Sequence, residues 1–284
     1  MRGKDLGHPQ ATERAAGFDG DRRRAAPPAL VADALDAALA ARAAQTGQTV
    51  LDVVDVGAGT GGFAVRLAAL GHHVTVVDPS PDALAAARWR AAELGVTLTA
   101  VQGEAGDLAG LVGEGAADLV VCHNVLEYVD SPAAAMAAIA RVLRAGGTVS
   151  VLAANVVAAV LQRALAGRYD EARRLLEPPS QSAGPLLPAP AAGISAPGLT
   201  EHRRFTLAEL TALIEGSGLR VGAAQGIRVF AGLLPGAGAD PNAADGLREL
   251  EAAAAGYPAL RDIATRLHVL AVREEDPPGQ AGIS

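Results

Sequence analysis

Short apolar runs alternate with helical stretches between residues 50 and 153, and this alternation is the feature that most limits the possible folds. Such alternation is typical of a parallel sheet covered by helices on both faces. The run ADLVVCHN is almost continuously apolar, as expected of a strand buried on both sides. The strand-like runs are Val50–Val56, His73–Val77, Thr97–Val101, Asp118–His123 and Thr148–Ala153, and the helical stretches are Gly62–Leu70, Pro81–Leu94 and Pro132–Leu143.

The chain on either side of this core predicts more helices and two more strands. Pro27 and Pro28 precede an apolar helical pattern. Farther on, Thr206 is followed three residues later by Glu209, which predicts a capping box at the start of a helix. The helices are expected at Leu30–Ala44, at Val156–Leu176 and from Thr206 onward, and the strands at Leu219–Ala224 and His268–Arg273.

Composition predicts one folded domain with an insertion and two loose ends. Residues 1–28 form a polar, basic segment, and residues 29–275 are expected to form the domain. A Pro/Gly/Ser/Ala-rich stretch at about 177–200 predicts a flexible insertion within it. Residues 276–284 predict a disordered tail.

Charge and cysteine content exclude several classes of protein. The net charge of −7 argues against a general nucleic-acid binder, which is usually basic. The single cysteine, Cys122, excludes an internal disulfide and a cysteine-rich zinc site, and its apolar surroundings predict a buried thiol. No metal-ligand spacing of histidines, cysteines or acids is present, so no metal is expected. The polar start of the chain and the lack of a bilayer-spanning run predict a cytoplasmic protein without membrane contact.

A glycine-rich turn, GAGTGG, lies between the first strand and the following helix. Glycines at this point let the backbone approach a ligand closely. The spacing Gly57, Gly59 and Gly62 matches the dinucleotide pattern, whereas Gly57, Gly59 and Gly61 match a looser methyltransferase pattern. Glycine spacing alone therefore leaves both cofactor classes open.

Two acids at strand ends favour a cationic cofactor over a diphosphate. Asp55 lies two residues before Gly57, where a carboxylate would repel a pyrophosphate but attract the ammonium and sulfonium groups of S-adenosylmethionine. Asp78 ends the second strand, where an acid accepts both ribose hydroxyls. The structural alternatives are that Asp55 caps the turn or the next helix and that Asp78 is an N-cap. The turn after the third strand, from Ala105 to Asp107, is placed to border the adenine.

These residues resemble the class I S-adenosylmethionine-dependent methyltransferases over about Val50–Ala153. The resemblance lies in the combination of an acid before the glycines, an acid ending the second strand and a polar turn after the third. It implies a seven-stranded, Rossmann-like, mostly parallel sheet whose last strand is antiparallel, with S-adenosylmethionine as cofactor. The cofactor-binding residues that it implies are Asp55, Gly57, Ala58, Gly59, Asp78, Ala105 and Gly106.

Later stretches are similar to one subgroup, the bacterial tRNA 5-carboxymethoxyuridine methyltransferases. They are CHNVLEYVDSP, NVVAAVLQRALAGRYDEA, GIRVFAGLL and RLHVLAVRE. The resemblance implies that His123 and Arg23 contact the cofactor, and that the reaction forms a methyl ester on a carboxymethoxy group of the tRNA wobble uridine. This chain lacks the lysine-rich stretch that the subgroup carries before the penultimate helix and has only EHRRF there. The alternative partner is a small-molecule metabolite.

Three residues are candidates for the acceptor side of the reaction. Arg228 could hold an acceptor carboxylate through a bidentate contact, or it could be a surface arginine paired with an acid. His123 could contact the cofactor or orient the acceptor, or it could be a satisfied histidine at a strand end. Tyr128 could stack on a base or belong to the core. A nicotinamide-dependent dehydrogenase remains the alternative from another class.

Overall fold

The computed structural model describes residues 29–177, 202–233 and 241–274, which form seven strands and the helices around them. The strands are β1 (Asp52–Val56), β2 (His73–Asp78), β3 (Thr99–Gln102), β4 (Ala117–His123), β5 (Leu143–Ala154), β6 (Leu219–Ile227) and β7 (Arg266–Arg273). The helices are α1 (Ala29–Thr46), α2 (Gly62–Ala69), α3 (Pro81–Glu93), α4 (Leu108–Val112), α5 (Pro132–Val142), α6 (Val156–Leu165), α7 (Tyr169–Arg174), α8 (Leu207–Glu215), α9 (Pro241–Ala255) and α10 (Pro258–Arg261), with a 3₁₀ turn at Ala105–Asp107.

The strands form a single sheet in the order β3-β2-β1-β4-β5-β7-β6. Strands β1 to β5 pair in parallel, and β7 pairs antiparallel with both β5 and β6. The predicted seven-stranded, mostly parallel sheet with an antiparallel last strand is therefore confirmed. Strands β1 to β6 all end on the same side, which we call the carboxyl end of the sheet. The opposite side is the amino end.

Helices cover both faces of the sheet, as the apolar strands predict. One apolar cluster packs α5 and α8 on the sheet through side chains such as Met136, Ile139, Leu210 and Ile214. The second cluster packs α1, α2 and α3 on the other face, through Leu35, Leu67 and Leu84 among others. Cys122 is fully buried in the first cluster, and burial raises the pKa of its thiol, so it is the inert structural cysteine that its surroundings predict.

The structure corrects one predicted helix and adds others. The stretch predicted as one helix from Val156 to Leu176 is two helices, α6 and α7, because the chain turns at Gly167 with a φ of +73° that breaks helical geometry. The 3₁₀ turn with α4, and the helices α9 and α10, are elements that the sequence does not predict. The capping box of Thr206 and Glu209 is confirmed at the start of α8.

The amino end of the sheet is held by buried and half-buried ion pairs. Asp118 is buried, and its two carboxylate oxygens accept hydrogen bonds from Arg42 at 3.0 Å and from Arg144 at 2.6 Å. Arg144 also donates to Asp52 at 2.8 Å. Partial burial acts to raise the pKa of Asp52, but the hydrogen bonds from Arg144 and His73 bring it below its ordinary value. Every acid in this group has a cationic partner.

Candidate functional site

In the glycine turn between β1 and α2, every second residue has a left-handed backbone conformation. Gly57, Gly59 and Gly61 have φ values of +64°, +52° and +74°, a region that L residues with a side chain rarely adopt. A Cβ on Gly57 would lie 2.5 Å from Cγ2 of Val125, and one on Gly61 would lie 2.8 Å from Cβ of Ala87. A Cβ on Gly59 would meet no atom within 4 Å. Close packing therefore leaves no room for a side chain at Gly57 or Gly61. Gly59, next to the predicted contact Ala58, leaves open space beside the backbone.

Asp55 lies at the carboxyl end of β1, directly before this turn, and is only 4% exposed. Burial raises the pKa of its carboxyl to about 7, although a hydrogen bond from the Ala64 backbone N–H opposes this and the negative charge of Asp78 adds to it. The contact with Ala64 is the helix-capping alternative that the sequence allows. Among the described residues, no ion pair joins a cation to Asp55 or Asp78. A bound cation would therefore supply charge that the protein itself does not.

Asp78 ends β2 and ties it to the glycine turn. Its Oδ2 accepts the Gly59 N–H at 3.1 Å, and its Oδ1 accepts the Ser80 N–H at 2.9 Å. Ser80 caps α3 through its own hydroxyl, so the N-cap alternative for Asp78 is wrong. The carboxylate keeps lone pairs for the ribose hydroxyls that the sequence predicts. After β3, Ala105 is buried and Gly106 is exposed, and a Cβ on Gly106 would meet no atom within 4 Å.

His123 ends β4 and is the most buried of the predicted acceptor-side residues, at 8% exposure. Its Nε2 lies 2.7 Å from the Ser150 hydroxyl, and its ring contacts the Phe63 ring edge-on at 4.7 Å. Its Nδ1 has no hydrogen-bond partner in the part of the chain that the structure describes. Burial, with a smaller contribution from His268, lowers the pKa of His123 well below its ordinary value. The ring is thus neutral, and only one of its two nitrogens has a hydrogen-bond partner among the described residues.

Glu127, four residues after His123, is a buried carboxyl with one unpartnered oxygen. It is 2% exposed, and its Oε1 accepts the Ala154 N–H at 2.7 Å and lies 3.6 Å from Nη1 of Arg266. Its Oε2 has no partner among the described residues. Burial raises the pKa of this carboxyl, and Arg266 and Arg204 oppose the rise.

Arg266 is the functional candidate that the sequence does not single out. It begins β7 opposite Ala154, at the carboxyl end of the sheet, and it donates a hydrogen bond to Oδ1 of Asn124. Asn124 itself has a φ of +57°, an uncommon conformation for a residue other than glycine. The motif RLHVLAVRE contains Arg266, but no local pattern indicates that it faces the loop after β4.

Tyr128 is 43% exposed, so the core-packing alternative is wrong. Its ring lies against the ring of His202, with centroids 4.5 Å apart. Arg203, the next residue, donates to the carbonyl oxygen of Val129 at 2.9 Å and so fastens residues 202–205 to the loop after β4. The Arg203 guanidinium therefore holds this loop, and the exposed Tyr128 packs against the half-buried His202.

Arg228 follows β6 at the carboxyl end of the sheet, with a φ of +60°. Three backbone N–H groups, of residues 229–231, donate to the Glu251 carboxylate, and Thr265 donates to the Arg228 carbonyl, so the backbone is firmly held. Its side chain is exposed and forms no ion pair with the described residues, so the paired-surface alternative is not what the structure shows. Three strand spacings separate β6 from β4, or roughly 14 Å, so Arg228 and His123 would contact different parts of a ligand.

The basic residues around α6 and α7 are partly compensated by acids. Arg163 and Arg168 both pair with Glu171, and Arg173 pairs with Glu177. Arg174 donates to the carbonyl oxygen of Asp170, so these pairs reduce the positive charge of the surface without removing it. The predicted cofactor contact Arg23 lies outside the described residues.

Comparisons with known proteins decide the family. A family model described as a methyltransferase domain matches residues 54–151. A ubiquinone biosynthesis O-methyltransferase from Burkholderia multivorans is 30% identical over 175 residues, which cover 56% of this chain and 73% of the relative. The chain belongs to the S-adenosylmethionine-dependent methyltransferases. Its cofactor is therefore S-adenosylmethionine, and the dinucleotide interpretation of the glycine turn is set aside.

Two further similarities concern the methyltransferase domain. The tRNA 5-carboxymethoxyuridine methyltransferase of Escherichia coli is 31% identical over 119 residues, or 41% of this chain and 45% of that protein. This chain spans less than half the length of this and other curated relatives that it matches. An S-adenosylmethionine-dependent methyltransferase structure from Methanosarcina mazei has the same fold, with a TM-score of 0.53 at 17% identity, over 81% of this chain and 95% of that one.

The geometry of the glycine turn suits a cationic cofactor. Open space beside Gly59, flanked by acids without a cationic partner, suits a ligand that carries positive charge. In the described ranges, no group of three histidines, cysteines or acids could hold a metal ion. No helix within those ranges is both long and apolar enough to cross a membrane.

Proposed function

We propose that this chain transfers the methyl group of S-adenosylmethionine to an oxygen atom of its acceptor. The observation that carries the proposal is the open backbone at Gly59 between two acids that lack a cationic partner. The proposed binding residues are those of the glycine turn with Asp55 and Asp78, the turn at Ala105 and Gly106, and His123. Arg23 is retained as a proposed contact from the segment before α1.

The chemistry requires the chain to orient the acceptor and exclude water. S-adenosylmethionine supplies an activated methyl group when bound. A carboxylate acceptor is already ionised at neutral pH, so the protein needs no general base and must only desolvate the acceptor and align it. The exposed, unpaired Arg228 and the half-exposed Arg266 are the proposed cations that hold the carboxylate.

The first candidate acceptor is the carboxymethoxy group of the tRNA wobble uridine. Supporting it are the relative of that name, the motifs around His123 and Arg228, and the exposed Tyr128, which could stack on a base. The test incubates the purified chain with labelled S-adenosylmethionine and tRNA that carries the free acid, followed by mass spectrometry of the nucleosides. Arg228→Lys retains the charge but not the bidentate geometry and should lower turnover. An unchanged nucleoside profile with the wild-type chain would reject this acceptor.

The second candidate acceptor is a hydroxyl group of a small molecule, and the pairing of the α6 and α7 arginines with acids favours it. The relative from B. multivorans carries the name of an O-methyltransferase of ubiquinone biosynthesis. A phenol has a pKa near 10 and needs a base, for which the unpartnered Oε2 of Glu127 is the proposed group. Glu127→Gln should then abolish most turnover on a phenol, whereas ester formation on a carboxylate would be nearly unaffected. Equal turnover of a phenol by the wild type and by Glu127→Gln would exclude Glu127 as the base.

A further inference from the structure

Four polar side chains form a continuous hydrogen-bonded row across the sheet. His123 Nε2 lies 2.7 Å from Oγ of Ser150, which lies 2.8 Å from Nε2 of His268. The other nitrogen of His268, Nδ1, lies 2.8 Å from Nε2 of Gln225. The four residues belong to β4, β5, β7 and β6, which are adjacent in that order, so each bond joins neighbouring strands.

Three members of the row are buried in an otherwise apolar face of the sheet, and Gln225 is half-buried at its end. Ser150 and His268 are buried, and residues two positions away on the same strands, such as Val121, Leu152 and Ile227, belong to the apolar cluster under α1 and α2. Buried polar groups are costly unless they are hydrogen-bonded. Both nitrogens of His268, the Ser150 hydroxyl and Nε2 of His123 have partners within the row, whereas Nδ1 of His123 has none among the described residues.

Counting protons along the row assigns the tautomer of His123. Burial lowers the pKa of His268 to about 4 and that of His123 well below its ordinary value, so each ring carries one proton at neutral pH. The Gln225 amide N–H donates to Nδ1 of His268, so the proton of His268 is on Nε2 and is donated to Ser150. The single hydroxyl proton of Ser150 must then be donated to Nε2 of His123, which leaves the proton of His123 on Nδ1.

We infer that Gln225 and His268, acting through Ser150, are positioning residues that hold His123 as the Nδ1–H tautomer. This inference rests on the proposed function, in which His123 faces the bound ligands. In that tautomer, His123 offers one buried N–H with no protein acceptor among the described residues. The geometry points to a hydrogen-bond-accepting oxygen of a ligand, supplied by the cofactor or by the methyl acceptor. A reversed row would instead present a lone pair there and repel that oxygen.

The tautomer can be measured without an activity assay. Nitrogen-15 NMR of the full chain at about pH 8.5 distinguishes Nδ1–H from Nε2–H rings, and the resonances of His123 are those lost in His123→Asn. We expect the Nδ1–H form in the wild type. An Nε2–H ring in the wild type would overturn the inference, whatever the protein methylates. Adding S-adenosylhomocysteine alone, and then an acceptor, shows which ligand shifts the His123 resonance.

Gln225→Glu reverses the row from three hydrogen bonds away. A carboxylate can only accept, so it moves the proton of His268 to Nδ1, turns the Ser150 hydroxyl toward His268 and leaves His123 as the Nε2–H form. The pH is kept at about 8.5 because a neighbouring carboxylate raises a histidine pKa by roughly 1–3 units. Gln48→Glu adds the same charge at an exposed position near the amino end and is the matched control. It should leave His123 unchanged.

The functional consequence separates this inference from the proposed function. Gln225→Glu should lower kcat/KM roughly ten- to hundredfold, the range expected for one hydrogen bond to a charged group, for the ligand whose addition shifts the His123 resonance. Gln225→Leu, which only removes the donor, should give a mixture of tautomers and an intermediate loss. In a Ser150→Ala background, Gln225→Glu should no longer affect His123.

An unchanged tautomer or an unchanged kcat/KM in folded Gln225→Glu would overturn the positioning role. Failure of the wild type to bind S-adenosylhomocysteine would reject the proposed function instead. In that case the NMR result would still decide the tautomer.

Discussion

The acidic side chains at the two ends of the sheet differ in whether they have cationic partners. At the amino end, Asp118 and Asp52 are bound by arginines, with Arg144 bridging them. At the carboxyl end, Asp55 and Asp78 accept backbone N–H groups but have no cationic partner among the described residues. Oε2 of Glu127 and Nδ1 of His123 are unpartnered there as well. At the amino end the charged groups pair with one another and stabilise the fold, whereas at the carboxyl end polar atoms remain available for a ligand.

Replacing Asp118 with alanine should have the largest effect on stability. It leaves Arg42 and Arg144 without their buried partner, and breaking a buried ion pair costs about 3–5 kcal/mol of unfolding free energy. Urea denaturation measures this loss. Asp52→Ala is the matched control and should cost about 1 kcal/mol or less, because that carboxylate is half-exposed and solvent screens its ion pair. Equal losses in the two variants would contradict the dominance of the buried pair.

Asp55→Asn should show the opposite pattern, with binding lost and stability kept. The amide removes the negative charge that we propose faces the cofactor, and we expect the affinity for S-adenosylhomocysteine to fall roughly ten- to hundredfold in calorimetry. Near pH 8 the unfolding free energy should not fall, because the wild type then buries an ionised carboxylate with no cationic partner. A less stable variant with unchanged affinity would show that Asp55 serves only to cap α2.

The glycines of the turn divide in the same way. Gly61→Ala should add about 1–3 kcal/mol of overlap to about 1–2 kcal/mol of left-handed strain, because its Cβ would lie 2.8 Å from that of Ala87. Gly59→Ala meets no neighbouring atom and should cost only the left-handed strain of about 1–2 kcal/mol, yet it should weaken binding of S-adenosylhomocysteine more than Gly61→Ala does. Thermal unfolding and calorimetry on both variants test this. The reverse ranking in affinity would place the ligand elsewhere.

The pH dependence of binding should be the smallest of these effects. With a pKa of about 7, the Asp55 carboxyl ionises between pH 6 and 8, so affinity for S-adenosylhomocysteine should rise about tenfold over that interval. The stability contribution has the opposite sign. The folded chain retains a proton that the unfolded chain releases near pH 4, so this group lowers the unfolding free energy as pH rises from about 4 to about 7.

Asp55→Asn is the control for the pH dependence, because it should remove both trends. Calorimetry follows the affinity and urea denaturation follows the stability. A wild-type affinity that stays constant between pH 6 and 8 would contradict ionisation of Asp55 in this interval.

Local sequence signals predicted much of the fold and suggested the residues that we propose for the cofactor half of the site. All seven strands lie where apolar runs indicate, because backbone pairing and apolar periodicity act over short stretches of chain. Asp55 and Asp78 could be found because parallel strands bring their carboxyl ends together. The break between α6 and α7 was missed because the sequence of this stretch is helix-forming on both sides of Gly167.

The acceptor half could not be predicted in the same way. Arg266 donates a hydrogen bond to Asn124, and Glu127 accepts one from the Ala154 N–H. The sequence around each of these residues does not indicate its partner. The Arg266 contact depends on the insertion of β7 between β5 and β6, and the Glu127 contact depends on the pairing of β4 with β5. Both pairings join segments that are apart in the chain.

The sequence by itself determined the alternation of strands and helices, the glycine turn and the acids that precede and follow it. Only the tertiary structure decided that His123, Ser150, His268 and Gln225 form one row, because that requires the strand order and the register of four strands together. A shift of one residue in any of these pairings would turn a side chain to the opposite face and break the row. Such long-range pairing leaves no mark in the local pattern of residues.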